Sequence, residues 1–168
     1  MTPAERGTRP WEELQELVGS ENIDIIEGYI ASLSASETTL AVSRLSEQDQ
    51  AKLLTVLVPD EAASVIQQLP DVQVAELFDE LAPDTAAEII EELPSDQQAD
   101  LVSEILPAQA EAILLQMGAT VAEDVRSLIQ FTDDVAGGLM VKEYLAYPQS
   151  FTVSQVLDDL RANAERYR

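Results

Sequence analysis

The 168-residue chain contains neither cysteine nor histidine. Disulfides, thiolate metal sites and cysteine nucleophiles are thereby excluded, as are the usual zinc ligand and the usual general base. Basic residues are scarce. Nine Lys and Arg stand against thirty-two Asp and Glu, a formal net charge of -23, and none of the nine lies between Lys52 and Arg126. Phosphate recognition needs clustered Lys and Arg, so no nucleic-acid partner is expected, and an anionic membrane surface would repel the chain. Aromatic residues make up 5% of the sequence, which leaves Leu, Ile, Val and Ala to build the core. No apolar run approaches the ~20 residues of a bilayer-spanning helix, and no secretory signal opens the chain. Gly-rich phosphate loops and G-x-S-x-G elbows are also missing; Gly137-Gly138 reads as a break between domains. Paired acids on an exposed helical face, without a pocket, make a weak acid–base pair. The chain is not expected to be an enzyme.

What is there is a twelve-residue beat. It reads LSEQDQAKLLTV, LVPDEAASVIQQ, LPDVQVAELFDE, LAPDTAAEIIEE, LPSDQQADLVSE and then, after one extra residue, LPAQAEAILLQM, so that the units open on Leu45, Leu57, Leu69, Leu81, Leu93 and Leu106. LSASETTLAVSR, from Leu33, is a degenerate first unit. Apolar residues recur at the ninth and tenth positions and at the next opening leucine, as in Ile89, Ile90 and Leu93, a spacing that defines one helical face. The seventh position holds Ala51, Ala63, Ala75, Ala87, Ala99 and Ala112, small enough for a neighbouring helix to approach closely. Pro59, Pro70, Pro83, Pro94 and Pro107 stand early in their units, where proline is tolerated in a first helical turn and marks a new helix. Each unit thus predicts a helix of roughly 8–9 residues, too short to be stable alone and held by stacking on its neighbours. The expected architecture is an all-α superhelix; a plain bundle of short helices of equal length is the simpler alternative.

The acids ride in register. Asp84 and Asp96 recur at one position of the unit, Glu88 and Asp100 at another; Glu91, Glu92 and Glu104 continue the same faces. Like charges four apart cost a few tenths of a kcal/mol per pair, and no Lys or Arg is near to relieve them. Hard cations prefer oxygen ligands, and Mg²⁺, which keeps several of its waters, needs only one or two carboxylates. Two readings stay open at this level: a cation-responsive face, or a solvated face whose first-turn aspartates complement the helix dipole.

The flanks differ from the array. Residues 1–10 read as a lead-in; Trp11 to Val18 and the segment from Ile23 to Leu33 read as helices, and GATVAEDVRSLIQF, from Gly118, as another. Tyr144 to Tyr147 reads as a short strand, and Thr152 with Gln155 forms a capping box that opens a helix from Val153. A lone strand and helix cannot bury both faces, which marks them as the start of a second unit.

The L-P-x-D-x-x-A units, V-R-S-L-I-Q-F, the run from Asp133 to Met140 (DDVAGGLM), K-E-Y-L-A-Y and T-V-S-Q-V-L-D-D-L-R together resemble the cytosolic N-terminal part of MgtE-type magnesium transporters, over about Leu33 to Arg161. The resemblance implies a right-handed superhelix of short helices over residues 1–135, with the repeats at 33–117, followed at 136–168 by a linker and the strand–helix opening of a first CBS domain. It implies a regulatory domain on the cytoplasmic side of the membrane, itself not inserted, that senses Mg²⁺ through its acidic face, closes on the CBS domains and gates the pore. Its implied partners are the CBS and transmembrane domains of the same full-length protein, as a homodimer. The family's metal-binding aspartates correspond to Asp96 and Asp100, with Asp84 and Glu88 as weaker candidates; a third family acid corresponds to Ser64, a departure from the pattern. A protein-binding adaptor is the alternative, since superhelical arrays present concave surfaces.

Overall fold

The computed structural model describes residues 9–20, 22–131, 140, 142 and 145–163. Among them the chain is all α-helical, with eleven helices: α1 (Pro10–Ser20), α2 (Ile23–Ile30), α3 (Ala35–Ser43), α4 (Glu47–Val56), α5 (Pro59–Ile66), α6 (Asp71–Glu80), α7 (Pro83–Glu91), α8 (Ser95–Glu104), α9 (Pro107–Gln116), α10 (Ala119–Leu128) and α11 (Val153–Ala162). None is long and apolar enough to cross a membrane.

The twelve-residue beat is a beat of helix N-termini. The residues that cap α2 to α10 are Asn22, Ser34, Ser46, Val58, Pro70, Ala82, Pro94, Leu106 and Gly118, one every twelve residues without a slip. The array therefore reaches from Asn22 into α10, beyond both ends of the expected repeats. The extra residue expected before Leu106 is not there: Ile105 opens that unit and is 4% exposed, whereas Leu106, at 62%, caps α9 and faces solvent. Of the alanines expected to lie at close helix contacts, Ala63, Ala75, Ala87 and Ala99 are buried, whereas Ala51 and the out-of-phase Ala112 are half-buried.

Two chemistries start the helices. Pro59, Pro83 and Pro107 stand at the first or second helical position of α5, α7 and α9, where the missing N–H has no partner to lose. Pro70 and Pro94 are instead the caps of α6 and α8. Proline kind thus alternates, and so does packing. α5 packs on α7 and α7 on α9; α4 packs on α6, α6 on α8 and α8 on α10. From α4 to α10 each helix rests mainly on the helix two along, so the structural layer there is a pair of units.

Every opening residue from Leu45 to Met117 is buried, and so is each residue five further on: Gln50, Ala62, Val74, Ala86, Gln98, Ala110 and Ala122. The two positions flank a helix start as an apolar residue before the cap and its partner a turn later, an arrangement that fixes the entry angle of the chain. Where the partner is Gln, a hydrogen bond from its amide replaces the apolar contact. Gln50 Nε2 donates to the Leu45 carbonyl at 3.1 Å and Gln98 Nε2 to that of Leu93 at 2.7 Å.

Beyond α10 the picture changes. The strand expected at Tyr144 to Tyr147 is absent at 145–147, and Tyr144 lies outside the described residues; no neighbouring strand stands among the described residues with which to build a ladder. The strand–helix opening of a CBS domain is therefore not visible. The capping box does form: Thr152 N donates to Gln155 Oε1 at 2.8 Å and α11 follows, with no buried residue. Asp133 to Leu139, including the two glycines, lie outside the described residues; Met140 is exposed.

Candidate functional site

The aspartates at the second position of their helices are built alike. Asp84 Oδ1 accepts from the Thr85 N–H and Asp96 Oδ1 from the Gln97 N–H, both at 2.9 Å, so each carboxylate takes an otherwise orphaned donor of its own first turn. Glu88 and Asp100 follow one turn later and are exposed. Ser64, in place of a third acid, is exposed on α5, where its carbonyl accepts from Gln68 Nε2 at 2.8 Å.

The fold does not gather these acids into one cluster. α7, with Asp84 and Glu88, belongs to the α5–α7–α9 column; α8, with Asp96 and Asp100, belongs to the α4–α6–α8–α10 column. Among the described residues no three Asp or Glu side chains are grouped to hold a metal ion. What Asp100 does share is a cleft of about 340 Å³ between α6 and α8, where it stands with Asp71 and Glu104 above an apolar floor that includes Ile66, Val74 and Leu101. Asp96, half-buried, does not line this cleft.

Two further acids serve a different purpose from the one their register suggests. Asp79 Oδ1 accepts from the Leu106 N–H at 3.1 Å, and Glu91 Oε1 accepts from the Gly118 N–H. Each reaches twenty-seven residues along to the cap of a later helix. Where that cap is proline there is no N–H to bind, and the residue in the same register reaches past it: Ser43 Oγ donates to Gln73 Oε1 at 2.9 Å and Gln67 Nε2 to Gln97 Oε1 at 3.1 Å. Asp79 and Glu91 stand twelve residues apart, a signal present in the sequence but not separable there from the acids that face solvent.

A second cavity, of about 700 Å³, lies between α7, α8 and α10. Glu91, Glu92 and Asp124 line it together with Gln98, Leu93 and Val121. Lys142 closes one side: its backbone N–H donates to Ser95 Oγ at 2.8 Å, and its ammonium pairs with Asp124 Oδ1 at 3.1 Å. Ser95, at 4% exposure, is one of the few buried polar side chains.

These features define a class: an acidic array of short helices whose carboxylates either tie helix to helix or stand on open faces. The family follows from comparison. A model of the MgtE intracellular N domain matches residues 33–134, and the chain belongs to that family. In three dimensions it is similar to the soluble part of a magnesium transporter, with a TM-score of 0.73 at 22% identity, over 93% of this chain and 62% of that one. It is also similar to the cytosolic domain of the Mg²⁺ channel MgtE in complex with ATP, with a TM-score of 0.76 at 28% identity, over 90% of this chain and 62% of that one. The chain spans less than two thirds of either structure. No curated protein sequence matches it.

Proposed function

We propose that this chain is the cytosolic regulatory domain of a magnesium transporter or channel, non-enzymatic, which senses intracellular Mg²⁺ through the carboxylates of α8. The observation that carries the reading is the match to the MgtE intracellular N domain across the whole register that holds Asp96 and Asp100. The cytosolic domain of a Mg²⁺ channel, at 28% identity, supports it. Chemistry agrees: one or two carboxylates and a shell of retained water suit Mg²⁺, and a formal charge of -23 gives any divalent cation a favourable field. Asp96 and Asp100 supply two oxygen donors on one helical face; the remaining ligands come from water and from the CBS domains on which the acidic face closes. In this scheme α8 belongs to the gate of the pore, the full-length protein is a homodimer, residues 136–168 lead into the first CBS domain, and Asp84 and Glu88 contribute little.

Thermal melts and calorimetry in millimolar Mg²⁺ test the idea on this chain and on the protein with a CBS pair attached. The expected result is a weak rise in melting temperature for the chain and a larger one for the longer protein, abolished by Asp96→Ala with Asp100→Ala and kept by Asp84→Asn with Glu88→Gln. If the longer protein ignores Mg²⁺, or the α8 pair changes nothing, the sensing role is wrong. The acidic rim and apolar floor of the cleft beside Asp100 favour the second reading, an adaptor for a basic partner. That partner would stay bound when Mg²⁺ is chelated.

A further inference from the structure

The array is not equally tight along its length. α1 packs on α2, α3 and α4. Two hydrogen bonds add to that packing: Tyr29 Oη donates to the Pro10 carbonyl and Gln15 Nε2 to Asp49 Oδ2, both at 3.2 Å. From α5 onward the odd helices stack on one another, but α3 leans on α1 and has no comparable contact with α5; α4 on α6 is the main packing that crosses from the first four helices to the rest. One position in the register accounts for the break. Five residues after the cap, α5 and α7 carry Ala63 and Ala87, both buried, whereas α3 carries Thr39, half-buried. A methyl side chain lets a neighbouring helix axis come close, and a branched polar one holds it off. What α3 offers across the joint is polar: Thr39 Oγ1 lies 2.7 Å from the Gln68 carbonyl, and Ser43 Oγ donates to Gln73 Oε1 at 2.9 Å. The Thr39 hydroxyl has one proton and a second acceptor within its own helix, the Ala35 carbonyl at 3.0 Å.

We propose that this joint is a hinge: α1 to α4 move as one block against α5 to α10, and the α3–α5 gap opens and closes about the α4–α6 contact. Parting two apolar helix faces exposes hydrocarbon to water, which holds the α5–α7 and α7–α9 joints shut. Opening at Thr39 and Ser43 only exchanges hydrogen bonds within the protein for hydrogen bonds to water, a small net change. Ser43 is exposed already, and Thr39 turns back to Ala35 without losing a partner. The pivot keeps its own tie, since Gln50 Oε1, in a buried side chain of α4, accepts from Gln73 Nε2 of α6 at 3.3 Å. The chain passes between the blocks at Leu57 and Val58, both extended, an element-terminal segment of the kind that absorbs the dihedral change of a hinge. Opening changes the angle at which the first four helices stand to the acidic columns. The inference stands apart from the magnesium reading, since it uses neither Asp96 nor Asp100.

The chain has no cysteine, so spin labels can be placed on chosen pairs and their separation read by pulsed electron paramagnetic resonance. Leu40, Ser64 and Glu88 are exposed and stand at one register position, six residues after the caps of α3, α5 and α7. Leu40→Cys with Ser64→Cys reports on the hinge, and Ser64→Cys with Glu88→Cys on a sealed joint. The hinge pair is expected to give a distance distribution about twice as wide as the sealed pair, as an ensemble of open and closed forms requires. Thr39→Ala, which supplies the residue that α5 and α7 carry at this position, is expected to shorten and narrow the hinge distribution towards that of the sealed joint. Thr39→Val, which keeps the bulk and loses the hydroxyl, is expected to leave it wide and move it to longer distances. Circular dichroism of each variant confirms the fold. Equal widths at the two joints, or a hinge distribution that Thr39→Ala leaves unchanged, overturns the proposal.

Discussion

Phe78, inside α6, is the largest of the fully buried side chains, and Phe131, in the bend after α10, is 48% exposed, so the pair contrasts a packed with an open phenylalanine. Truncating both to Ala isolates that difference. Removing Phe78 from a fully packed site forfeits roughly 1.5–3 kcal/mol of transfer free energy. Because α6 is held from both sides by α4 and α8, the void cannot collapse freely, and the cavity raises the total to about 3–5 kcal/mol. Phe131→Ala leaves no cavity and is expected to stay within about 0.5 kcal/mol. Urea unfolding followed at 222 nm reads both. With a slope near ~2 kcal/mol/M, Phe78→Ala moves the midpoint down by about 2 M and Phe131→Ala hardly at all. An array gives the experiment a second readout. The layers contact only near neighbours, so hydrogen exchange should rise first in α4, α6 and α8, and least in α1 to α3. A Phe78→Ala loss below about 1 kcal/mol, or matching losses at the two positions, would refute the claim that a continuous core runs through the column.

The phase of the last units is tested by neighbours: Ile105→Ala is expected to cost about 2–5 kcal/mol and Leu106→Ala about 0.5 or less, and the opposite order in chemical denaturation would restore the extra residue that the leucines alone imply. The capping box of α3 gives a pH signature. The Ser34 hydroxyl, and then its backbone N–H, hold the Glu37 carboxyl below its ordinary value of 4.5, against a smaller opposing effect of desolvation. A depressed carboxylate contributes stability that is full above the unfolded value and is lost as pH falls through the folded one. Loss of an N-cap side chain generally costs about 1 kcal/mol, so Ser34→Ala is expected to destabilise near neutral pH, and the share that runs through Glu37 should fade on acidification below about 4.5, as thermal melts across that range would show.

Much of this fold was legible because its grammar is local. Prolines near helix starts, Thr152 with its capping partner, and paired apolar residues a turn before the next leucine are read within one unit. What hid was relational. Leu106 resembles Leu69 and Leu93, each a leucine followed by proline; the burial of Ile105 against neighbouring layers shows that it, like Leu57 and Leu81 two residues before their prolines, opens the unit. The ties from Asp79 to Leu106 and from Glu91 to Gly118 span three helices, and no spacing rule distinguishes them from solvated acids. The strand read at Tyr144 to Tyr147 had suitable residues, but strand formation depends on a partner that composition cannot supply.

The pairing of layers bears most directly on how the acids can act. A sequence repeat of twelve invites the view that acids one unit apart are neighbours, which would put Asp84, Glu88, Asp96 and Asp100 on one face. Because packing runs from each helix to the second one along, the spatial neighbours of α8 are α6 and α10, and those residues lie twenty-four away. Asp100 accordingly shares its cleft with Asp71, at the start of α6, while Asp124 of α10 meets Lys142, whose backbone rests on Ser95 at the start of α8. A cation held by α8 would therefore bear first on α6 and α10, the helices on which α8 mainly packs. Lys142 rests on Ser95, so it meets α8 at the same end that carries Asp96. In this arrangement the segment after α10 is tied by an ion pair to the column that carries Asp96 and Asp100, while it shares a cavity with Glu91 and Glu92 at the end of α7.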